Sequence, residues 1–343
     1  YVFTDDEEII AYIDKNYTWT NKVKPLLRSA QNASDTASTE SAMLEFSELI
    51  NHDYDILCLL QATSPLTQRT DINKGLELVL NGNYDAALSV VRTHRFIWSE
   101  EGKSLNYNFN KRPRRQDFDG LLMENGAVYT SLKKAFLESG NRLSGKIGLV
   151  EMSEDTLVEI DSETDWHVIE QLLISSFKAK KAPQRISHLI LDVDGVFTDG
   201  KVTYGKTGEL SKTFDMRDGM GLEIIRQHNV KVMVMTSEDS ETVAQRMKKL
   251  QIEDVFLGVK DKYSFLENIL QERKLTAQEL AYIGDDVNDM ANMLRVGWSF
   301  CPANATKPIK YQADVVLTHA SANGAIREAC EFIMNYNLRF NDL

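Results

Sequence analysis

Residues 189–200 read LILDVDGVFTDG. A β-prone apolar run leads into two carboxylates, Asp192 and Asp194, and then into a glycine. In a parallel sheet, ligands bind beyond the carboxyl ends of the strands. The run from His188 delivers both aspartates to that edge, and at a spacing of two they can face one site. Two unpaired carboxylates repel, and one keeps its proton unless a cation lies between them.

Further oxygen donors stand downstream. LAYIGDDVNDM at 280–290 reads as a second strand ending in Asp285 and Asp286, with Asp289 one helical turn on. Mg²⁺ takes a few carboxylates, carbonyls, waters and substrate phosphate oxygens, which this set suits. A third strand, VKVMVM at 230–235, ends in Thr236 and Ser237, whose hydroxyls can bond phosphate oxygens. Lys262, at a helix start in GVKDKYSF, can neutralise phosphate and nucleophile. A single Asp-Gly is equally a turn former. Four such pieces in order, each after its own apolar strand, outweigh that reading.

Strand-like runs alternate with helical patterns throughout, as in YDILCLL at 54–60. The expected fold class is α/β: two Rossmann-like three-layer domains with mostly parallel sheets. The chain has 343 residues, enough for two domains. The polar, basic stretch 177–187, which contains Pro183, marks the break. The expected division is a domain over 1–176, a linker over 177–185 and a domain over 186–343. No apolar run approaches 18 residues and no basic-then-apolar leader opens the chain, so a cytoplasmic protein without membrane contact is expected. Cys58, Cys301 and Cys330 form no CxxC pair, which supports neither a disulfide framework nor a zinc site. The net charge of −12 argues against nucleic-acid binding.

Three N-terminal stretches stand out: LLQATSPL at 59–66, NKRPRRQDFDGLLMENGAVY at 110–129 and VEIDSETDW at 158–166. The basic run could be an import or nucleic-acid patch, but Pro113 interrupts it and Asp117 and Asp119 follow at once. A short anion site, with guanidinium forks on a carboxylate or triphosphate, fits better. Glu159 and Asp161 alternate in an apolar stretch and could hold Mg²⁺ on a nucleoside triphosphate.

The four C-terminal pieces resemble, over 186–335, the haloacid dehalogenase superfamily of phosphotransferases. The resemblance implies that Asp192 takes the phosphoryl group as an aspartyl phosphate. Asp194 would protonate the leaving alkoxide and then activate water. The Asp192 carboxylate, the Asp194 carbonyl and Asp285 would hold Mg²⁺, with Asp286 and Asp289 as auxiliary ligands. Between Asp199 and Met220, alternation around a Gly-rich tip suggests a β-hairpin and leaves no room for a cap domain. This resembles the capless sugar-acid phosphatases, whose tetramers close each site with neighbouring subunits. Arg217 and Arg327 match segments near that site, although Arg327 also reads as a solvated helix-start arginine. Glu238, Arg246 and Lys249 look like the set of nine-carbon, sialate-type phosphatases. They can share a face across a helix start, as a substrate set or as a solvent-facing salt-bridge cluster.

From Tyr1 to about Leu173 the chain resembles the CMP-sialate synthetase, or N-acylneuraminate cytidylyltransferase, family. RSAQNASDTASTESAM at 28–43 is similar to its cytosine-recognition segment and implies Arg28, Ala37 and Thr39 as nucleotide contacts. Gln61 and Tyr129 match sugar contacts, Arg115 the arginine on the sialate carboxylate, and Arg92 a second basic contact. Glu159 and Asp161 fall on the metal-binding pair, where Glu159 replaces the usual aspartate. The opening YVFTDDEEII resembles the family's second strand and the helix after it. About 40 residues, a strand–loop–helix unit carrying the phosphate loop, are expected to precede it in a longer protein. Without that unit, exposed strand edges and inefficient CMP transfer are expected.

Together these resemblances imply consecutive steps. The C-terminal domain would hydrolyse a sugar-acid 9-phosphate, and the N-terminal domain would join the free acid to CMP from CTP, in a homotetramer. The competing readings are a C-terminal domain that only tetramerises, and two domains that act on an eight-carbon ulosonate.

Overall fold

The computed structural model describes residues 1–34, 36–206 and 208–340. The chain forms two compact units, Tyr1–Leu173 and Ile174–Leu343. The division falls inside one helix, Glu163–Ala179, so the start of the expected linker is helical; 181–187 carry no regular structure. Among the described residues, no helix is long and apolar enough to cross a membrane.

In the first unit, β1 (Val2–Thr4), α1 (Glu7–Asn16) and β2 (Pro25–Leu27) form a βαβ unit with a parallel pair. Then follow α2 (Thr39–Leu49), β3 (Ile56–Leu60), α3 (Arg69–Asn81), β4 (Ala86–Thr93), β5 (Leu121–Leu132), α4 (Lys133–Ser139), β6 (Ile147–Met152) and α5 (Glu163–Ala179). The second sheet has the order β3-β5-β4-β6. β4 and β6 pair in parallel, whereas β5 runs antiparallel to both β3 and β4. Three of the four strands therefore share one direction. The reversed strand needs no crossover helix, because antiparallel neighbours can be joined without one; the excursion 94–120 returns the chain for it.

Among the described residues, the edges of β1 and β3 that do not meet β2 and β5 pair with no strand. A cavity of about 700 Å³ is lined by residues of both strands, by the 28–39 segment and by α2.

The second unit contains β7 (His188–Leu191), the hairpin β8 (Thr198–Gly205) and β9 (Gly208–Phe214), α6 (Met216–Gln227), β10 (Lys231–Met235), α7 (Glu241–Lys249), β11 (Asp254–Phe256), α8 (Lys262–Arg273), β12 (Leu280–Ile283), α9 (Met290–Arg295), β13 (Trp298–Cys301), α10 (Lys307–Gln312), β14 (Val315–Val316) and α11 (Ala325–Asn337). Its sheet has the order β11-β10-β7-β12-β13-β14 and every pair is parallel. Such strands are buried on both faces and read as continuous apolar runs.

Alternation sorts their side chains into two cores. Leu189, Leu191, Val232, Val234, Ala281 and Ile283 pack with Leu222 of α6 and Ile326 of α11. Ile190, Met233, Met235, Leu280 and Tyr282 pack with Leu266 of α8 and Met293 of α9. The sheet is therefore the middle of three layers. β7 lies between β10 and β12, with Leu191 level with both Val234 and Ile283. Three strands thus end at one height, and the chain leaves them as Asp192, Thr236 and Gly284-Asp285.

Candidate active sites

Strand parity decides where Asp192 points. It shares the face of Ile190, the face covered by α8 and α9, and Lys262 is the first residue of α8. The ammonium of Lys262 lies 2.9 Å from Asp192 Oδ1 and 2.7 Å from Asp289 Oδ1, and its side chain is 1% exposed. Asp289 is fully buried and also accepts from the Tyr282 hydroxyl at 2.8 Å and the Asp285 amide at 3.2 Å. One carboxylate oxygen from each of Asp192, Asp285 and Asp289 lies within 4.8 Å of the others. The expected convergence of acidic strand tips is present, and Asp289 belongs to its buried centre.

The charges do not balance. Burial, and then the charge of Asp289, push the Asp192 carboxyl well above the usual carboxylate range, with Lys262 only partly offsetting them. Burial, then Asp289 and Asp286, raise Asp285 to about 7. Burial opposes the charge on Lys262, but Asp289 and Asp192 outweigh it and hold the lysine above its ordinary pKa. Asp192 Oδ1 has the Lys262 ammonium as its ion-pair partner at 2.9 Å. Three clustered carboxylates, only two of which meet the one ammonium, suit a hard divalent cation such as Mg²⁺. Gly195 makes the approach possible. Its φ is +83°, and a Cβ there would lie 2.0 Å from Asp285 Oδ2.

A cavity of about 310 Å³ opens above the cluster, lined by Asp192, Asp194, Thr236, Ser237, Glu238, Asp285, Asp286 and neighbours. Thr236 is buried at the end of β10 and its backbone pairs with Phe256 and Val259, which fixes the loop. Asp286 caps the 287–289 turn through the Val287 amide at 2.8 Å and is outside the three-carboxylate cluster. The Asp194 carboxylate is outside it too. It accepts from Thr198 Oγ1 at 3.2 Å and from Lys212 Nζ at 2.8 and 2.7 Å. The sequence reading missed Lys212 and Tyr282. Lys212 stands on the inward parity of β9 and Tyr282 in a fully buried strand, and in both places a buried polar tip needs a partner.

Four of the expected substrate contacts do not line this cavity. Arg217 pairs with Asp215 at 2.7 Å and donates to Asn323 at 2.8 Å. Arg327 pairs along α11 with Glu331 at 2.6 Å, and its amide donates to buried Asp218 at 3.0 Å. Glu238, Arg246 and Lys249 do not form one face. Glu238 precedes the Ser240 cap of α7, so no helical register relates it to the other two. It pairs with Lys260 at 3.1 Å, whereas Arg246 stacks on Phe197 and Phe214, and Lys249 is exposed.

In the first unit, Arg28, Ala37 and Thr39 do line one cavity, the one between β1 and β3. Glu45 shapes that loop by accepting from the Ser29 amide at 2.7 Å and Asn32 Nδ2 at 2.6 Å. Gln61 follows β3, its amide on the Ala127 carbonyl. The Ile160 amide reaches the Thr63 carbonyl, which brings Glu159 and Asp161 to the same turn. Burial and then Asp161 raise the pKa of Glu159. A Cβ on Gly126 would lie 2.3 Å from its carboxylate.

The ENGAVY stretch is irregular. Opposite β4 the register jumps from Leu88–Tyr129 to Val90–Glu124. The jump folds Glu124 back onto the Tyr129 hydroxyl, and burial followed by this contact pushes the phenol up to about 12. Arg142 lies over the Tyr129 ring, 4.4 Å from its centroid. Arg92 pairs with Glu151 on β6 at 2.8 Å, and exposed Arg115 faces Glu154 at 3.4 Å. Among the described residues, the polar partners of these arginines are Glu151, Asp119 and Glu154 rather than Gln61, Glu159 or Tyr129.

Comparison with known proteins agrees with both halves. The model of the haloacid dehalogenase-like hydrolase family matches residues 231–328. The C-terminal half resembles the 3-deoxy-D-manno-octulosonate 8-phosphate phosphatase of Haemophilus influenzae, 35% identical over 151 residues, 44% of this chain and 84% of that protein. A crystal structure of the Moraxella catarrhalis phosphatase of the same name, in complex with magnesium, phosphate and KDO, is 28% identical; it covers 50% of this chain and 95% of that one, with a TM-score of 0.44. N-acylneuraminate cytidylyltransferase A of Danio rerio is 32% identical over 343 residues, 97% of this chain and 78% of that protein. A relative at that identity, matched over 97% of this chain and 78% of its own length, fixes the ancestry: the chain belongs to the N-acylneuraminate cytidylyltransferase family.

Proposed function

We propose that the C-terminal unit hydrolyses a nine-carbon ulosonate 9-phosphate and that the N-terminal unit transfers CMP from CTP to the freed sugar acid. The observation that carries the first half is the approach of Asp192, Asp285 and Asp289 to within 4.8 Å, with one buried lysine between two of them. Asp192 attacks phosphorus. As its O–P bond forms, the bond to the sugar oxygen breaks and Asp194 gives that oxygen a proton. Asp194 then takes a proton from water as the water displaces Asp192 and releases phosphate. Lys262 neutralises the nucleophile and the transferring phosphoryl group, and Thr236 and Ser237 bond its oxygens. Asp192, Asp285 and the Asp194 carbonyl would hold Mg²⁺, with Asp286 and Asp289 as auxiliary ligands, and the ion would supply further positive charge.

In the N-terminal unit Arg28, Ala37 and Thr39 take the nucleotide. Gln61, Tyr129, Arg92 and Arg115 take the sugar acid, and Glu159 and Asp161 the metal on CTP. Family membership and the shared cavity of the first three residues support this reading. We include the homotetramer in the proposal. Arg217, Arg246, Lys249 and Arg327 do not line their own chain's cavity, so as substrate contacts they would serve a neighbouring copy. Unpaired cysteines suit the reducing cytoplasm.

The test is phosphate release by wild type and Asp192→Asn in Mg²⁺. The wild type is expected to release phosphate and the variant none; equal turnover removes Asp192 as nucleophile. The likeness to 3-deoxy-D-manno-octulosonate 8-phosphate phosphatases favours an eight-carbon substrate as a second reading. Comparing hydrolysis of the eight- and nine-carbon phosphates decides between them.

A further inference from the structure

The hairpin places a buried cation against Asp194. The Lys212 side chain is 1% exposed, and its ammonium meets both Asp194 oxygens at 2.8 and 2.7 Å and Glu209 at 3.5 Å. Glu209 in turn accepts from Ser240 Oγ, the cap of α7, at 2.6 Å. The pairing depends on a bulge. Thr203 faces Ser211 while Tyr204 faces Glu209, so Leu210 is extra. In a regular strand, residues three apart point to opposite faces; one extra residue brings Glu209 and Lys212 to the same face. Burying an ammonium costs several kcal/mol unless it is well paired, and an apolar chain would fill this space without that cost. Among the described residues, the ammonium's polar contacts lead to Asp194 or to the carboxylate that holds the lysine in place.

We propose that Lys212 is a positioning residue for Asp194. It holds the proton-transferring carboxylate at the cavity edge, where Thr198 Oγ1 at 3.2 Å is its other side-chain anchor. The inference rests on the phosphatase reading above. Its signature is leaving-group dependence. An alkoxide must receive a proton from Asp194 as the P–O bond breaks, whereas p-nitrophenolate leaves without one.

The experiment measures the first turnover of p-nitrophenyl phosphate and of an alkyl phosphate by wild type, Lys212→Met and Lys212→Arg in Mg²⁺. Lys212→Met is expected to lose roughly 100-fold in alcohol release, within the usual range for proton transfer, and under about 5-fold in the nitrophenolate burst. Lys212→Arg should recover most of the alkyl rate. A loss equal on both esters, or none, overturns the inference. If Lys212→Met does not fold, Lys212→Gln, which keeps volume and a donor, must show the same split; its absence there overturns the inference too. A wild type that cleaves neither ester removes the phosphatase reading and this inference with it. Turnover by the wild type with an unsplit loss in the variants removes the inference alone.

Discussion

Replacing Asp285 by asparagine should make the metal-free protein more stable while it abolishes the metal response. Asp285 stands at about 7 in the fold against an ordinary 3.8, because burial and the charges of Asp289 and Asp286 oppose its ionisation. The folded form therefore binds the proton more tightly than the unfolded chain, and stability falls as pH rises through this window. Above pH 7 the full penalty applies, about 4 kcal/mol from the shift alone. Water entering through the open cavity weakens the field, so about 1–3 kcal/mol is the expected gain for Asp285→Asn at pH 8. For a unit of this size that is roughly 3–10 °C. The gain should fall to less than half at pH 5 and nearly vanish at pH 4, where the native carboxyl is already neutral. Calorimetry in EDTA reads it on the transition that Mg²⁺ shifts in the wild type. Adding Mg²⁺ should raise the wild type and leave the variant nearly unmoved. An Asp285→Asn protein that melts below the wild type at pH 8 in EDTA, or whose advantage is constant with pH, refutes the claim that the cluster stores repulsion for a cation.

Two further outcomes follow from the same cluster. Lys262→Met strands Asp192 and Asp289, the carboxylates it meets at 2.9 and 2.7 Å; urea unfolding in EDTA at pH 8 should show a loss of about 3–5 kcal/mol. The loss should shrink at pH 5, since Asp192 is already poised to hold a proton. Gly195→Ala forces a methyl to 2.0 Å from Asp285 Oδ2 at a φ of +83°; it should cost about 1–3 kcal/mol in strain and weaken Mg²⁺ binding in titration calorimetry.

Much of the C-terminal unit was legible because uninterrupted apolar runs mark its central strands. Runs such as LIL and LAYI are apolar at every position, the mark of strands covered on both faces, and each leads into the residues that the site uses. The acidic residues after each strand therefore predicted a shared edge. The part that could not be read arises where local periodicity breaks. Glu238 belongs to no helix, since Ser240 starts α7. Its sequence distance from Arg246 therefore carried no information about a common face. The hairpin bulge at Leu210 reverses parity, which hid the pairing of Lys212 with Glu209.

The first unit shows the same limit from the other side. The apolar run of β5 reads like the strands around it, yet it is the reversed one, because direction is set by where the preceding excursion returns the chain. Within it, the register jump between Leu88 and Val90 joins Glu124 to Tyr129, residues that an unbroken strand would hold on opposite faces. Gly126 at φ +72° permits that detour and brings the backbone against Glu159. The irregular glycine in ENGAVY, rather than the regular strand around it, therefore lets this backbone close on the carboxylate of Glu159. Both units place their least periodic residues where their chemistry is proposed, as expected when a regular scaffold supports a site that needs side chains off its lattice.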